Sequence, residues 1–313
     1  MTRNNSLHWS KYWKNGQLTS LPQDFQENYT GSIYDEWKIC FDRLGTEAKV
    51  LDLCTGNCAI ALLASKHSIN ENKAFCITAV DAANISKQNI LEKYPQNKNL
   101  LENIRIISNC KIEEMDSHLK LEQFDLITSQ YGIEYSDWKE SSEQVFKLLK
   151  DGGEFSMIAH SGSTEIIKYM QIEKSDYYFL KDIFIFKFLH RFYNNKISHK
   201  ELMRKLKIIQ AKISQRYQKQ PTELIKSILI FLDNIKITTK SELINSKNKL
   251  NGFVLQHQYA LARLEDLLAV TKSIVENPNW YKYFIEAGLK LKQNKEILQN
   301  NSINSGTLYT FTK

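Results

Sequence analysis

The chain has 313 residues, 42 % of them hydrophobic and 25 % charged, which is enough to build one large core or two modest ones. Its five cysteines, at 40, 54, 58, 76 and 110, fall mostly in predicted strands and one turn. This spacing does not indicate a disulfide framework, and no second cysteine or histidine pair accompanies Cys54 and Cys58 to complete a zinc site. The first ten residues are polar, and no apolar run approaches the ~18 residues of a membrane span, so the simplest expectation is a soluble cytoplasmic protein.

Residues 1–48 carry a dense aromatic set, Trp9, Tyr12, Trp13, Phe25, Tyr29, Tyr34 and Trp37, with too few aliphatic residues for a domain of their own. They are expected to form an aromatic-rich helical cap packed on something else. Residues 49–63 then read as a buried strand around one acid, Asp52, a tight turn at Gly56 and an apolar helix from Ala59. In an open parallel sheet this is where a nucleotide-like ligand sits, because glycine lets the backbone approach it and helix amides point at it. A second strand, Phe75 to Val80, ends at Asp81, and an acid at the tip of strand two is what a ribose diol requires.

Asn103 to Ser108 is the third predicted strand and Phe124 to Ser129 the fourth. A helix from about Trp138 to Lys150 follows, with Asp151-Gly152-Gly153 as its stop signal, and Glu154 to His160 is the fifth strand. Strands alternating with helices imply crossover connections and a parallel sheet. Toward the C-terminus, Trp280 to Gly288 reads as the last turns of a helix, and Leu289 to Leu298 and Thr307 to Thr312 as two further strands.

The ordered set of an acid, a small-residue turn, a helix and a second acid resembles the class I S-adenosylmethionine-dependent methyltransferases. Their first motif is Asp-x-Gly-x-Gly-x-Gly; here its glycine positions hold Cys54, Gly56 and Cys58. Gly-x-Gly-x-x-Gly, the dinucleotide-dehydrogenase pattern, is absent. The segment Leu148-Leu-Lys-Asp-Gly-Gly looks like the family's Leu-Lys-Pro-Gly-Gly before strand five. The resemblance implies an α/β fold, a Rossmann-like seven-stranded mostly parallel sheet with helices on both faces, whose seventh strand inserts between strands five and six. It implies a core of residues 49–162 and 251–313, leaving 163–250 as a helical insertion after strand five.

The resemblance also implies the cofactor, S-adenosyl-L-methionine, and a set of contacts. The loop of Cys54, Thr55, Gly56, Asn57 and Cys58, set by Asp52, holds the methionine part. Asp81 and Ala82 meet the ribose, and Asn109 and Cys110 flank the adenine. Ser129 and Gln130 complete the cofactor set and open the loop, Ser129 to Tyr135, that lines the substrate side. Many relatives carry an Asp near Cys110 for the adenine amino group; in this chain Asn109 or a backbone carbonyl would serve. The Pro-Pro-Tyr tetrad of enzymes that methylate exocyclic base nitrogens is missing, since Gln130 and Tyr131 stand where prolines would be.

The insertion is basic. Between Lys181 and Leu250 there are 16 Lys and Arg against 5 Asp and Glu, a net of +11, while the rest of the chain is acidic. Glu201 to Lys219 has Leu202, Leu206, Ile209 and Ile213 on one helical stripe with cations opposite, and Pro221 opens another helix. Tyr177 to Tyr193 is apolar on nearly every side if helical and reads first as a packed core helix, with a membrane anchor or a lid on the ligand side of the sheet as the alternatives. The cationic stripe reads first as a solvated face, and alternatively as a surface for the phosphates of RNA or for anionic substrates or lipid surfaces.

Three residues are candidates for catalysis: Glu134 and Tyr135 in the loop after strand four, and His160 at the tip of strand five. An unperturbed histidine titrates near 6.5, which suits a general base at neutral pH. The leading expectation is a methyltransferase acting on a small molecule. An RNA or protein methyltransferase docking on the basic insertion is the alternative, with nucleic acid not favoured, and a non-catalytic cofactor-binding scaffold is a third. No metal is called for.

Overall fold

The computed structural model describes residues 6–20, 25, 27–120, 122–162, 165–299 and 303–313. It divides into two compact units, Met1–Thr164 with Ala269–Lys313, and Glu165–Leu268. Ser163, the expected first residue of the insertion, lies outside the described residues. The expected return to the core at Asn251 falls inside a helix that continues to Glu276.

The larger unit begins with α1 (Ser6–Lys14) and α2 (Ser32–Asp42). There follow β1 (Lys49–Leu53), α3 (Ala59–Asn70), β2 (Cys76–Asp81), α4 (Lys87–Lys93), α5 (Lys98–Glu102), β3 (Ile104–Ser108), α6 (Met115–Leu119), β4 (Phe124–Gln130), α7 (Trp138–Leu148) and β5 (Leu149–Ala159). These strands form one seven-stranded sheet with the C-terminal hairpin described below, in the order β3-β2-β1-β4-β5-β7-β6. β1 is central, paired in parallel with β2 and β4, and every residue after Lys49 is buried. A strand covered on both faces has to be apolar on both, which is why Val50, Leu51 and Leu53 do not alternate with polar residues.

Alternate strand residues feed two cores. Val50, Ile77, Ala79 and Leu126 pack with Trp37 and Phe41 of α2 and the apolar residues of α3. Leu51, Val80, Ile127, Phe155 and Met157 point the other way, to Met115 of α6 and to Val145 and Leu148 of α7. Helices therefore cover both faces. Asp137 starts α7 by accepting the amides of Lys139 (3.1 Å) and Glu140 (2.9 Å), filling otherwise unmet helix-end donors.

The predicted helix stop at Asp151-Gly152-Gly153 is corrected. α7 ends at Leu148, and the glycines lie within β5, where the register with β4 shifts between Phe124 and Leu126. Gly152, at φ +75°, makes the bulge, and its amide and the Gly153 carbonyl pair with Lys313 at the chain's end.

The smaller unit comprises α8 (Glu165–Asp182), α9 (Ile185–Tyr193), α10 (His199–Lys219), α11 (Glu223–Ile237), α12 (Lys240–Asn245) and the greater part of α13 (Lys247–Glu276). The buried residues of α10 are Leu202, Leu206, Ile209 and Ile213, the predicted stripe, and Thr222 caps α11 through the amide of Ile225. The aromatic stretch 177–193 is not one helix. It breaks at Phe184 (φ +60°), which puts Tyr177, Leu180, Ile185, Leu189 and Phe192 inside and leaves Phe184 exposed between Lys181 and Lys187. The unit holds 19 Lys and Arg against 10 Asp and Glu, a net of +9.

The chain returns to the larger unit through the end of α13, then α14 (Lys282–Glu286), β6 (Lys290–Gln299) and β7 (Ile303–Thr312). Trp280 lies in a turn before α14, because Pro278 follows the end of α13 at Glu276. β7 is antiparallel to both β5 and β6, so the sheet is mixed. β6 is the edge strand and carries Lys290, Lys292 and Lys295, charges that discourage pairing with another chain's edge. Among the described residues no helix is long and apolar enough to cross a membrane.

Candidate active site

The turn after β1 forms at the carboxyl end of the central strand. Cys54, Gly56 and Cys58 all have left-handed backbone, at φ 53°, 53° and 65°, at the three positions the sequence comparison aligned with glycines. Two side chains are thus held where L-residues are disfavoured by roughly 1–2 kcal/mol each. Asp52 fixes the turn. Its Oδ1 accepts the Thr128 hydroxyl of β4 (2.9 Å), and its Oδ2 accepts the Thr55 hydroxyl and the Ala61 amide at the start of α3. Burial pushes the Asp52 carboxyl up to about 6, against the pull of those donors. Asp52 therefore shapes the loop from beneath, with both oxygens engaged within the protein.

Asp81, at the tip of β2, is the second anchor. Its Oδ2 accepts the Gly56 amide and its Oδ1 the Ala83 amide, each at 2.7 Å. Burial raises it to about 6, opposed by those two amides. Each oxygen keeps acceptor capacity for a further hydroxyl donor. The neighbouring backbone brings the other predicted cofactor residues together. The Cys110 amide donates to the Asp81 carbonyl (3.0 Å) and the Asn109 amide to the Ala83 carbonyl (3.1 Å), with Asn109 left-handed at φ 57° and Ala82 between them. Burial pushes the thiols of Cys54, Cys58 and Cys110 up, so they stay protonated and act as small apolar side chains.

Ser129 and Gln130 end β4 at the same, carboxyl end of the sheet but face opposite ways, and they are occupied differently. The Ser129 hydroxyl accepts the Ile133 amide (3.1 Å), while Gln130 accepts the Trp37 indole N–H through Oε1 (2.7 Å) and leaves Nε2 buried without a partner. Asn57 likewise has a buried, unpartnered Oδ1. Unmet buried polar atoms around the loop fit a ligand rich in hydrogen-bonding groups.

The N-terminal aromatics lie on this loop. Asn57 donates from Nδ2 to the carbonyls of Trp13 and Gln17, both at 2.8 Å, and the Asn84 amide donates to Ser10 Oγ (2.9 Å). These bonds hold α1 across the turn, so that a Cβ added at Gly56 would lie 2.5 Å from the Trp13 ring. Trp9 stacks on Trp13 and meets Tyr135 edge-on, and Tyr29 meets Tyr131 edge-on. The strap made by Asn57 was not foreseen; a lone Asn in a turn gives no sign of what its side chain reaches.

Glu134, Tyr135 and His160 are brought together at the ends of β4 and β5. Glu134 Oε1 accepts the His160 backbone amide (2.9 Å) and lies 4.0 Å from His160 Nε2, while its Oε2 is buried with no partner. The Tyr135 hydroxyl and His160 Nε2 share a hydrogen bond at 3.2 Å, and the imidazole stacks on Tyr131 at 4.6 Å. Burial separates the two titrations. It pushes Glu134 up to about 7, against the nearby amides of His160, Glu134 and Gly132, and pushes His160 down to about 4. Burial thus moves the near-neutral titration expected of His160 to Glu134, and His160 is neutral at pH 7.

The strand order with an antiparallel β7 between β5 and β6, an acid at the tip of β2 and a left-handed turn after β1 together define the class I methyltransferase architecture. A methyltransferase-domain family matches residues 44–227, more than half of the chain. The protein belongs to that family, and by its fold to the class I, S-adenosylmethionine-dependent methyltransferases. No curated protein sequence matches it.

Among solved structures it is similar to a candidate S-adenosyl-L-methionine-dependent methyltransferase from Methanococcus maripaludis, at 14 % identity and TM-score 0.44, covering 100 % of this chain and 97 % of that one. It is similar to the YcgJ protein of Bacillus subtilis at 24 % identity and TM-score 0.32, covering 41 % and 51 %. Burkholderia thailandensis 1,6-didemethyltoxoflavin-N1-methyltransferase gives 18 % and 0.32, covering 42 % and 53 %. The chain thus spans about half the length of the last two, and likenesses of this strength carry no argument about the methyl acceptor.

Proposed function

We propose that the protein transfers the methyl group of S-adenosylmethionine to a small-molecule acceptor. The observation that carries this reading is Asp81, a buried carboxylate fastened to the amides of Gly56 and Ala83 at the mouth of the sheet, with hydroxyl-accepting capacity to spare. Bound there, the sulfonium supplies an electrophilic methyl carbon. The residues do the rest: Cys54 to Cys58 would cradle the methionine part, Asp81 with Ala82 would hold the ribose, Asn109 and Cys110 would flank the adenine, and Ser129 and Gln130 end β4 toward the substrate side. Trp9 and Trp13 exclude water above the loop. Glu134, Tyr135 and His160 face the acceptor, where alignment with the methyl carbon provides much of the acceleration and proton removal the remainder. The test is calorimetry with S-adenosylmethionine and S-adenosylhomocysteine, followed by transfer of labelled methyl to a small-molecule fraction. Failure to bind either ligand would overturn the reading.

A second reading, an RNA acceptor, is supported by one feature. Lys200, Arg204, Lys207, Lys212 and Lys219 are exposed along α10, and none is ion-paired among the described residues. They span about 28 Å of helix. RNA retention that falls steeply with salt, and is lost on joint Arg204→Glu and Lys207→Glu substitution, would favour this reading; methyl label confined to small molecules would exclude it.

A further inference from the structure

We propose that the acceptor is an amine, which enters as an ammonium and passes a proton to Glu134 before its nitrogen attacks the methyl carbon. This rests on the cofactor reading above and adds the chemical class of the substrate. Three observations carry it.

The first is the sign of the charge at the site. Burial is the main cause that raises the Cys54 thiol, and the charges that add to it are carboxylates, those of Asp81, Glu134, Glu113 and Asp52. Such a floor repels a carboxylate or phosphate acceptor and attracts a cation. The second is the surrounding rings. Trp13, Trp9, Tyr135, His160 and Tyr131 follow one another at centroid separations of 6.1, 6.0, 6.0 and 4.6 Å. Indole and phenol faces attract an ammonium through the ring quadrupole.

The third observation is Glu134 Oε2, a buried carboxylate oxygen with no hydrogen-bond partner of normal geometry, the amides of Glu134 and Gly132 lying near the carboxyl without a well-formed bond to this oxygen. An ammonium N–H supplies the missing donor and the compensating charge at one stroke. Among the described residues, the titratable groups that meet Glu134 or its neighbour His160 are His160 itself, Tyr135, Tyr309 and the Cys54 thiol, and none of these is a cation at neutral pH. With its carboxyl raised to about 7, Glu134 can take a proton from an ammonium near neutral pH. An alkyl alcohol would demand a far stronger base than any group at this end of the sheet, and a phenol, though about as acidic as an ammonium, brings no positive charge to the carboxylates.

The step balances. Glu134 carboxylate takes one proton from the ammonium, freeing the nitrogen lone pair. That pair forms the N–C bond as the S–C bond breaks and its electrons pass to sulfur. The products are the N-methylated ammonium, S-adenosylhomocysteine and protonated Glu134, which returns its proton to solvent.

The test incubates the full protein with [methyl-13C]-S-adenosylmethionine and a defined mixture of biogenic amines, phenols, alcohols, thiols and carboxylic acids. The 13C shift of the transferred methyl reads the atom that received it, and an N-methyl signal is expected. An O-, S- or C-methyl product would overturn the proposal. So would S-adenosylmethionine binding with no methylated product, whereas loss of binding itself would overturn the cofactor reading instead. On the amine found, Glu134→Gln should lower kcat about 100-fold or more at pH 7 with the KM for S-adenosylmethionine unchanged. The loss should shrink as pH rises to 9–10, where the amine is free base. A Glu134→Gln deficit that stays constant with pH would assign the carboxylate a structural role and overturn its part; if that variant does not fold, the 13C result alone decides.

Discussion

Asp81→Asn is the most informative perturbation of the cofactor site. The carboxylate accepts two backbone amides at 2.7 Å, and the isosteric amide can accept only one of them, since its NH2 end must face the other. It also loses a charged acceptor for the ribose. A hydrogen bond to a charged group contributes about 1.5–3 kcal/mol, so S-adenosylmethionine affinity should fall roughly 10- to 150-fold. The pH dependence separates this from general damage. Burial raises Asp81 to about 6, so below that pH the wild-type site is protonated and must release a proton to accept both hydroxyls. Wild-type affinity should therefore decline as pH falls from 7 to 5, by about tenfold per unit once below 6, while that of Asp81→Asn should not follow this decline. Isothermal calorimetry across pH 5–8 reads both. An unchanged dissociation constant for the variant at pH 7.5, or a flat wild-type profile, would refute the ribose assignment.

Two further outcomes concern stability. Asp52→Ala strands the Thr55 and Thr128 hydroxyls and the Ala61 amide, and should cost about 2–3 kcal/mol, roughly 5–10 °C in melting temperature; a shift below 2 °C would deny Asp52 its role in holding the turn. Glu134→Gln should become progressively more stable than wild type as pH rises. The raised wild-type carboxyl contributes stability that is present below about 4.5 and lost through about 7, up to about 3 kcal/mol, which the variant does not lose; urea denaturation at pH 5, 6, 7 and 8 reads the difference, and a constant gap would contradict it.

The sheet was legible because parallel strands buried on both faces must be largely apolar, as β1 is at Val50, Leu51 and Leu53 and β2 over residues 76–80, while β4 shows only the short run of Leu126 and Ile127. The acids at Asp52 and Asp81 stood out against those runs. Burial was not legible, and burial decides the acid–base roles: Glu134 and His160 exchange their expected titration ranges because both are removed from water. Asp151-Gly152-Gly153 misled for a local reason. A glycine that ends a helix and a glycine that bulges a strand share the left-handed backbone, and only the partner strands β4 and β7 distinguish them. The docking of α1 through Asn57 and the break at Phe184 are likewise tertiary outcomes with no periodic signature.

The loss of two glycines from the first loop has a physical compensation across the site. A Cβ added at Gly132 would lie 2.2 Å from Cys54 Cβ, so the space that a glycine at 54 would leave is taken by the cysteine and yielded by Gly132. Gly132 itself has φ −141°, open to any residue, so sterics alone forbid a side chain there. Gly132→Ala should therefore destabilise by about 1–3 kcal/mol through overpacking. Cys54→Gly relieves a left-handed side chain but gives up a half-buried thiol and stiffness in the unfolded chain, and should be close to neutral. Together the two substitutions should restore wild-type stability to within about 1 kcal/mol, a coupling that chemical denaturation of the four proteins in the cycle measures directly. Additive losses would mean that the cysteine and the glycine do not share one space, and that the loop tolerates Cys54 for some other reason.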